Sequence, residues 1–155
     1  MIPPSPGDIR AMRLALAEAA VAGAEGEIPI GAVVLDADGT AIARAHNQRE
    51  SLRDPTAHAE VTALREAARH LGRWRLDGCT LVVTLEPCPM CAGAVVMSRL
   101  DRLVFGAWNE EYGASGSRWD LVRDRRLNHR PEVVGGVLAE EAGRPVRDFL
   151  LSRRA

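Results

Sequence analysis

Cys79-Thr-Leu-Val-Val-Thr-Leu-Glu-Pro-Cys-Pro-Met-Cys-Ala-Gly-Ala-Val-Val-Met-Ser98 joins a run of strand-forming residues directly to a helix opened by proline. Residues 79–85 are rich in Val, Leu and Thr, the composition of a buried strand. Residues 87–98 read as a helix, since proline is tolerated in the first turn. A second short apolar strand, Arg102 to Gly106, follows almost at once. Strand, helix and strand in this order form a crossover unit. The sheet is therefore at least partly parallel, with right-handed connections.

The rest of the chain is built around this unit. Ser5-Pro6-Gly7-Asp8 has the N-cap residue, the early proline and the acid of a helix start. Ile9, Met12, Leu14, Leu16, Ala19 and Ala20 continue a mostly apolar helix to about Gly23–Gly26. Ile28 to Leu35 reads as a buried strand, Asp36 to Gly39 as a hairpin turn and Thr40 to Ala45 as the partner strand. A polar loop spans His46 to Pro55. Thr56 is expected to cap a helix from Ala57 to about Leu71. After the crossover unit come a Gly-containing loop (Trp108 to Ser117), a strand or near-strand (Val133 to Val137) and a closing helix (Ala139 to Arg153). The hairpin makes the sheet mixed, and alternating elements place helices on both faces.

At 155 residues the chain suits one domain, 1–155, with a proper core. There is no repeat, low-complexity segment or linker. The net charge of −1 does not advertise nucleic-acid binding, nor does it exclude a local basic patch. All 20 cations are Arg; without Lys, Schiff-base catalysis, pyridoxal attachment and a P-loop lysine are excluded. No apolar run is long enough to span a bilayer, and residues 1–7 do not read as a signal peptide. Three Cys, two of them in Cys88-Pro-Met-Cys91, are not a disulfide framework and point to a reducing compartment, the cytoplasm. Charge is uneven: residues 1–60 hold 5 Arg against 9 acids, residues 61–155 hold 15 Arg against 12. The densest basic stretch is Arg118 to Arg130.

Two segments carry chemistry, Thr56-Ala-His58-Ala-Glu60 and Glu86-Pro-Cys88-Pro-Met-Cys91, each at an expected helix N-terminus. Cys88 and Cys91 share one face of the first turn at i, i+3 spacing. The positive helix end favours their thiolates. Two thiolates and the His58 imidazole make three ligands for one Zn2+, which leaves a fourth position open, the pattern of a catalytic site. Glu60 faces away from His58 and suits a proton shuttle beside the water that zinc activates. Either motif alone is weak: Cys-x-x-Cys is more often redox-active or structural, and His-x-Glu is nearly uninformative. Together they supply a metal, an open position and a shuttle. Cys79 reads as core, and His46 and His70 as surface or loop histidines.

At these residues the chain resembles the zinc-dependent nucleobase deaminases, in which His-x-Glu precedes Pro-Cys-x-x-Cys. Within that class it looks most like the bacterial tRNA-specific adenosine deaminases. The resemblance rests on Pro29-Ile-Gly-Ala32, Asp54-Pro-Thr-Ala-His-Ala-Glu60, Thr84-Leu-Glu-Pro-Cys-Pro-Met-Cys-Ala-Gly-Ala94, Phe105-Gly-Ala107, Gly113-Ala-Ser-Gly-Ser117 and Leu127-Asn-His129. It implies a three-layer α/β/α sandwich with a five-stranded mixed sheet and usually a homodimer. By resemblance His58, Cys88 and Cys91 bind zinc, Glu60 is catalytic and Asn47 hydrogen-bonds the purine. The implied reaction is adenosine to inosine at the wobble position of a tRNA anticodon, with an anticodon stem-loop as partner.

One loop departs from the family pattern. Asn109 stands where the family usually has Asp, and Glu110, Glu111 and Tyr112 follow where Lys or Arg is common. Acids beside a phosphodiester are unfavourable. A changed contact at Asn109 to a ribose hydroxyl leads us to expect less strictness about the sugar. Arg118, Arg123, Arg125, Arg126, Arg130, Arg153 and Arg154 are candidate phosphate contacts, with Asp120, Asp124, Glu140 and Glu141 as competing partners. The alternatives are a deaminase of a free base or nucleoside, and a zinc-stabilised RNA-binding module without turnover. Glu60 argues against the second. His129, the other histidine with motif context, is not expected to be a ligand.

Overall fold

The protein is described by a computed structural model over residues 2–154, with the side chain of Arg154 outside the described residues. The first helix, α1 (Pro6–Ala24), is opened by a reciprocal capping box in which Asp8 N–H donates to Ser5 Oγ at 3.1 Å and Ser5 N–H to Asp8 Oδ2 at 2.9 Å. Asp8 also receives both terminal nitrogens of Arg102, at 2.9 and 3.0 Å. Burial alone would raise the Asp8 carboxyl; the bonds and charge of Arg102 and the Ser5 bonds outweigh it and hold the group below its ordinary value.

The strands are β1 (Gly31–Leu35), β2 (Ala41–His46), β3 (Thr80–Leu85), β4 (Arg102–Ala107) and β5 (Glu132–Val134), ordered β2-β1-β3-β4-β5. β1 runs antiparallel to β2 and β3, while β3, β4 and β5 are parallel. Alternation along each strand splits the core. Val33, Val82, Val104 and Val134 face α1 with Ala11, Met12 and Ala15. Ala32, Val34, Leu81, Val83, Leu103 and Phe105 face α3 (Ala59–Leu71) and α4 (Pro89–Ser98). The closing helix α5 (Ala139–Arg154) packs on β4 on the α1 side. The expected mixed sheet between two helical layers is what forms.

Local differences have identifiable causes. The first strand begins at Gly31 rather than Ile28. A Cβ at Gly31 would strike the α1 backbone at Ala19, so this residue lets helix and sheet approach. The expected strand Val133–Val137 is shortened to Glu132–Val134, because Gly136 at φ +82° turns the chain away. The polar loop contains a single helical turn, α2 (Arg49–Leu52), and Leu121–Arg123 forms a 3-10 turn. His46 is not a loop histidine. It ends β2, half-buried, with Nδ1 3.0 Å from Glu18 and Nε2 3.1 Å from Glu25, joining the edge strand to α1.

Candidate active site

The N-termini of α3 and α4 meet at the end of the sheet where β3 and β4 finish, the place where open α/β sheets collect ligands. Cys88 is the N-cap of α4, and Cys91, three residues on, is in its first turn. His58 is the N-cap of α3, so Thr56 does not cap that helix. Thr56 instead closes a turn, with N–H and hydroxyl both donating to Asp54 Oδ1, at 2.8 and 2.7 Å. That turn lifts His58 into extended backbone and aims its ring across to α4.

His58 Nδ1 lies 3.7 Å from Cys88 Sγ and 3.5 Å from Cys91 Sγ, and the three donor atoms fall within 4.8 Å of one another. Zinc–sulfur bonds of about 2.3 Å and a zinc–nitrogen bond of about 2.0 Å at tetrahedral angles require nitrogen and sulfur about 3.5 Å apart. The spacing therefore fits a tetrahedral zinc with one position left over, and the donor set of two thiolates and one imidazole suits zinc. Without the ion the two thiols share their protons unequally. The hydrogen bond from Cys91, then that from His58, pull the Cys88 thiol down to about 4 against its burial. Cys91 is pushed up by Cys88, by burial and by Glu60. A bound cation reverses that logic and deprotonates both.

Glu60 is in the first turn of α3, buried, and outside the ligand cluster. Burial, then the nearby Cys88 thiolate, raises its carboxyl above the ordinary range. A carboxyl so placed can take up a proton on one side and pass it on at the other.

His58, Glu60 and Cys88 line a cavity of about 950 Å³ whose walls include Asn47, Arg49, Trp108, Asn109, Tyr112 and Leu150. A second cavity, about 610 Å³, lies at the opposite ends of β3 and β4, around Thr80 and Arg102. It contains no cluster of metal donors among the described residues, so the chemistry belongs to the first. Asn47 Oδ1 accepts from Arg49 N–H at 3.1 Å, and Asn109 Oδ1 from Tyr112 N–H at 3.1 Å. Both side chains thus brace a turn while lining the cavity.

Two buried glutamates hold the walls, and the sequence reading assigned neither a role. Glu86 Oε1 accepts from Asn109 N–H at 3.1 Å and from the Ser117 hydroxyl. Its Oε2 accepts from the N–H groups of Ser115 and Ser117, each at 3.0 Å. Glu27 accepts from Glu50 N–H at 3.1 Å and Ser51 N–H at 2.8 Å, fixing the turn after Asn47. The legible signal was an acid set in an apolar stretch, Leu85-Glu86-Pro87 and Glu27-Ile28-Pro29, which must find donors once buried.

The candidate phosphate contacts are not drawn to the cavity. Arg123 pairs with Asp120 at 3.0 Å and Arg126 with Asp124 at 2.7 Å, the latter holding the Asp124 carboxyl at about 2. Arg153 lies over Phe149 and donates to Gly26 O at 3.2 Å, Arg118 lies over Trp119, and Arg130 donates to Leu127 O. Arg125 does not line the cavity either, and the side chain of Arg154 is outside the described residues. Arg49 and Arg147 do line it, and neither was singled out from the sequence. His129 Nε2 lies 2.6 Å from Leu100 O, as a donor to that carbonyl, remote from the metal donors. His70 is exposed. No helix among the described residues is long and apolar enough to cross a membrane.

Comparison with known proteins agrees with this geometry. The family described as "Cytidine and deoxycytidylate deaminase zinc-binding region" matches residues 6–107. A tRNA-specific adenosine deaminase of Bacillus subtilis is 51% identical over 143 residues, 92% of this chain and 88% of its own length. A solved tRNA:A34 deaminase, studied for A-to-I editing at the wobble position of transfer RNA, superimposes with a TM-score of 0.84. It shares 43% identity, over 88% of this chain and 98% of its own. A guanine deaminase of Nitrosomonas europaea is more distant, at a TM-score of 0.73 and 27% identity over 96% of this chain and 86% of its own.

Proposed function

The chain belongs to the cytidine and deoxycytidylate deaminase zinc-binding family, and on that premise we propose that it converts adenosine to inosine at the wobble position of a tRNA anticodon. One observation carries the reading: three zinc donors, one short of a tetrahedral set, stand beside the buried carboxyl of Glu60. His58, Cys88 and Cys91 hold one Zn2+, which, when bound, supplies a Lewis acid that makes water nucleophilic near neutral pH.

The remaining work falls to side chains of this domain, which we take to span residues 1–155. Water oxygen bonds to C6 of the purine and the bond from C6 to the exocyclic nitrogen breaks. Glu60 carries the proton that water loses to that nitrogen, and ammonia departs. Asn47 presents an amide, both donor and acceptor, to the purine edge. Its orientation is fixed by Arg49 N–H on its oxygen. Asn109, also on the cavity wall, is the residue we assign to the sugar. The proposed phosphate footprint is the Arg-rich segment outside the cavity, Arg125 with Arg153 and Arg154, joined by Arg123 and Arg126 once a phosphate displaces Asp120 and Asp124 from them. Glu110 and Glu111 on the cavity wall favour one alternative, a free base or nucleoside as substrate.

We also propose a homodimer through α4, an apolar helix that leaves Met90 and Met97 exposed, Met97 at 64%, with Gly93 and Ala94 half-buried between them. We place the protein in the cytoplasm, where thiols stay reduced and tRNA is found. The test is inosine formation in an anticodon stem-loop, read by mass spectrometry beside adenosine, adenine, guanine and cytosine. Product in the stem-loop alone is expected. Turnover of a free base with an untouched stem-loop overturns the substrate. In Glu60→Gln, turnover should vanish with zinc retained; loss of zinc too would make Glu60 a ligand.

A further inference from the structure

We propose that Trp108 is a stacking platform for a nucleobase next to the target adenosine, so that this rim of the cavity recognises RNA through bases rather than phosphates. The inference rests on the RNA reading above. Trp108 follows the last residue of β4 and lines the same cavity as His58, Glu60 and Cys88, yet 46% of it remains exposed. An apolar ring left half in water beside a reactive centre is an unoccupied contact.

Its position is built rather than incidental. One edge meets Phe105 at a centroid distance of 4.8 Å and an interplanar angle of 87°. The six-membered ring lies so close to Gly135 that a Cβ there would stand 2.9 Å from Cη2 and 2.5 Å from Phe105 Cζ. Gly136, at φ +82°, passes the indole nitrogen, and Gly116 passes Cζ3. Gly135 therefore makes room for the indole to lie down, since any side chain there would strike it, while Gly116 and Gly136 are held to glycine by their positive φ and flank the ring at ordinary contact. Asn109, the next residue, is tied through its N–H to buried Glu86, so the rim cannot drift. Tyr112, 63% exposed, adds a second ring on the same wall.

Charge decides what lies on these rings. Glu110 and Glu111 stand between Trp108 and Tyr112, where a phosphate would be repelled. A base has an uncharged π-face that any aromatic can stack, and a target adenosine turned into the cavity leaves its neighbours unstacked. Stacking on one aromatic side chain is worth about 5- to 150-fold in binding.

The test is a double-mutant cycle between protein and RNA. KM for the wobble stem-loop is measured for the native protein and for Trp108→Phe and Trp108→Leu, with an intact strand and with an abasic site 5′ or 3′ of the target. We expect KM to rise in the order Trp, Phe, Leu, and removal of one flanking base to erase the difference. The slope of log KM against log salt should be the same in all three proteins, since no phosphate contact is lost. Equal losses in Trp108→Leu on intact and abasic strands overturn the stacking. So does a change in the salt slope, or an effect in Trp108→Leu that follows lost zinc or lost thermal stability. Should the native protein not deaminate the stem-loop at all, it is the RNA reading that fails, upstream of this contact. Tyr112→Leu on the same strands provides a second variant that leaves the Phe105 packing intact.

Discussion

Replacing Glu86 by Gln keeps the shape of the side chain and changes only which atoms accept. Glu86 is buried, and its two oxygens receive three backbone N–H groups and the Ser117 hydroxyl. A glutamine offers one oxygen and one NH2. If the oxygen stays at the Oε2 position, the bonds from Ser115 and Ser117 survive without charge, and the N–H of Asn109 faces a second donor. The opposite flip orphans two N–H groups, so the first is preferred. One buried unpaired donor costs about 1–3 kcal/mol, and two bonds lose their charge assistance at about 0.5–1 kcal/mol each. Relief from burying a charge returns part of this, leaving about 2–4 kcal/mol. For a chain of this size that is a fall of roughly 5–15 °C in melting temperature. Calorimetry on the zinc-loaded protein measures the shift, and amide exchange at Asn109, Ser115 and Ser117 shows where protection is lost. Because these residues carry the Trp108 wall, KM for the stem-loop should rise more than kcat falls. A shift below 2 °C with unchanged protection of those three amides would refute the idea that a buried carboxylate anchors this wall.

Five further outcomes follow. Glu27 is held below its ordinary value because the N–H groups of Ser51 and Glu50 outweigh its burial, so the stability it adds is complete above the unfolded carboxylate pKa. That contribution disappears as pH falls through the lower folded value, and Glu27→Gln should flatten the acid limb of a stability–pH curve. Asp8→Ala removes the capping box and leaves Arg102 with only Glu132, at a cost of about 2–3 kcal/mol in denaturant titrations. Chelation should abolish deamination and leave Cys88 more readily alkylated than Cys91 near pH 6, as peptide mass spectrometry would reveal. Met97→Glu should yield monomers by light scattering if α4 faces a second copy. Matched RNA and DNA hairpins examine the sugar, with measurable deoxyadenosine turnover expected from Asn109.

The Cys88–Cys91 pair, the His58–Glu60 pair and the mixed sheet between two helical layers were legible in the sequence because each depends on neighbours along the chain. Cys88 and Cys91 are one helical turn apart, His58 and Glu60 are two residues apart, and the strand periods repeat every second residue. The cap of α3 was misread because Thr56 and His58 can both precede a helix, and the choice fell to Asp54, which captured the Thr56 hydroxyl. The partners of long side chains were another matter. Which carboxylate Arg126 pairs with in the free protein, whether His46 sits in a loop or between Glu18 and Glu25, and which amides Glu86 gathers are settled by through-space competition. The glycine slot under Trp108 joins residues 108, 116, 135 and 136, contacts that no local pattern encodes. Chemistry carried by short spacings was thus written in the chain itself, while the walls that choose a substrate came into being only when distant segments packed together.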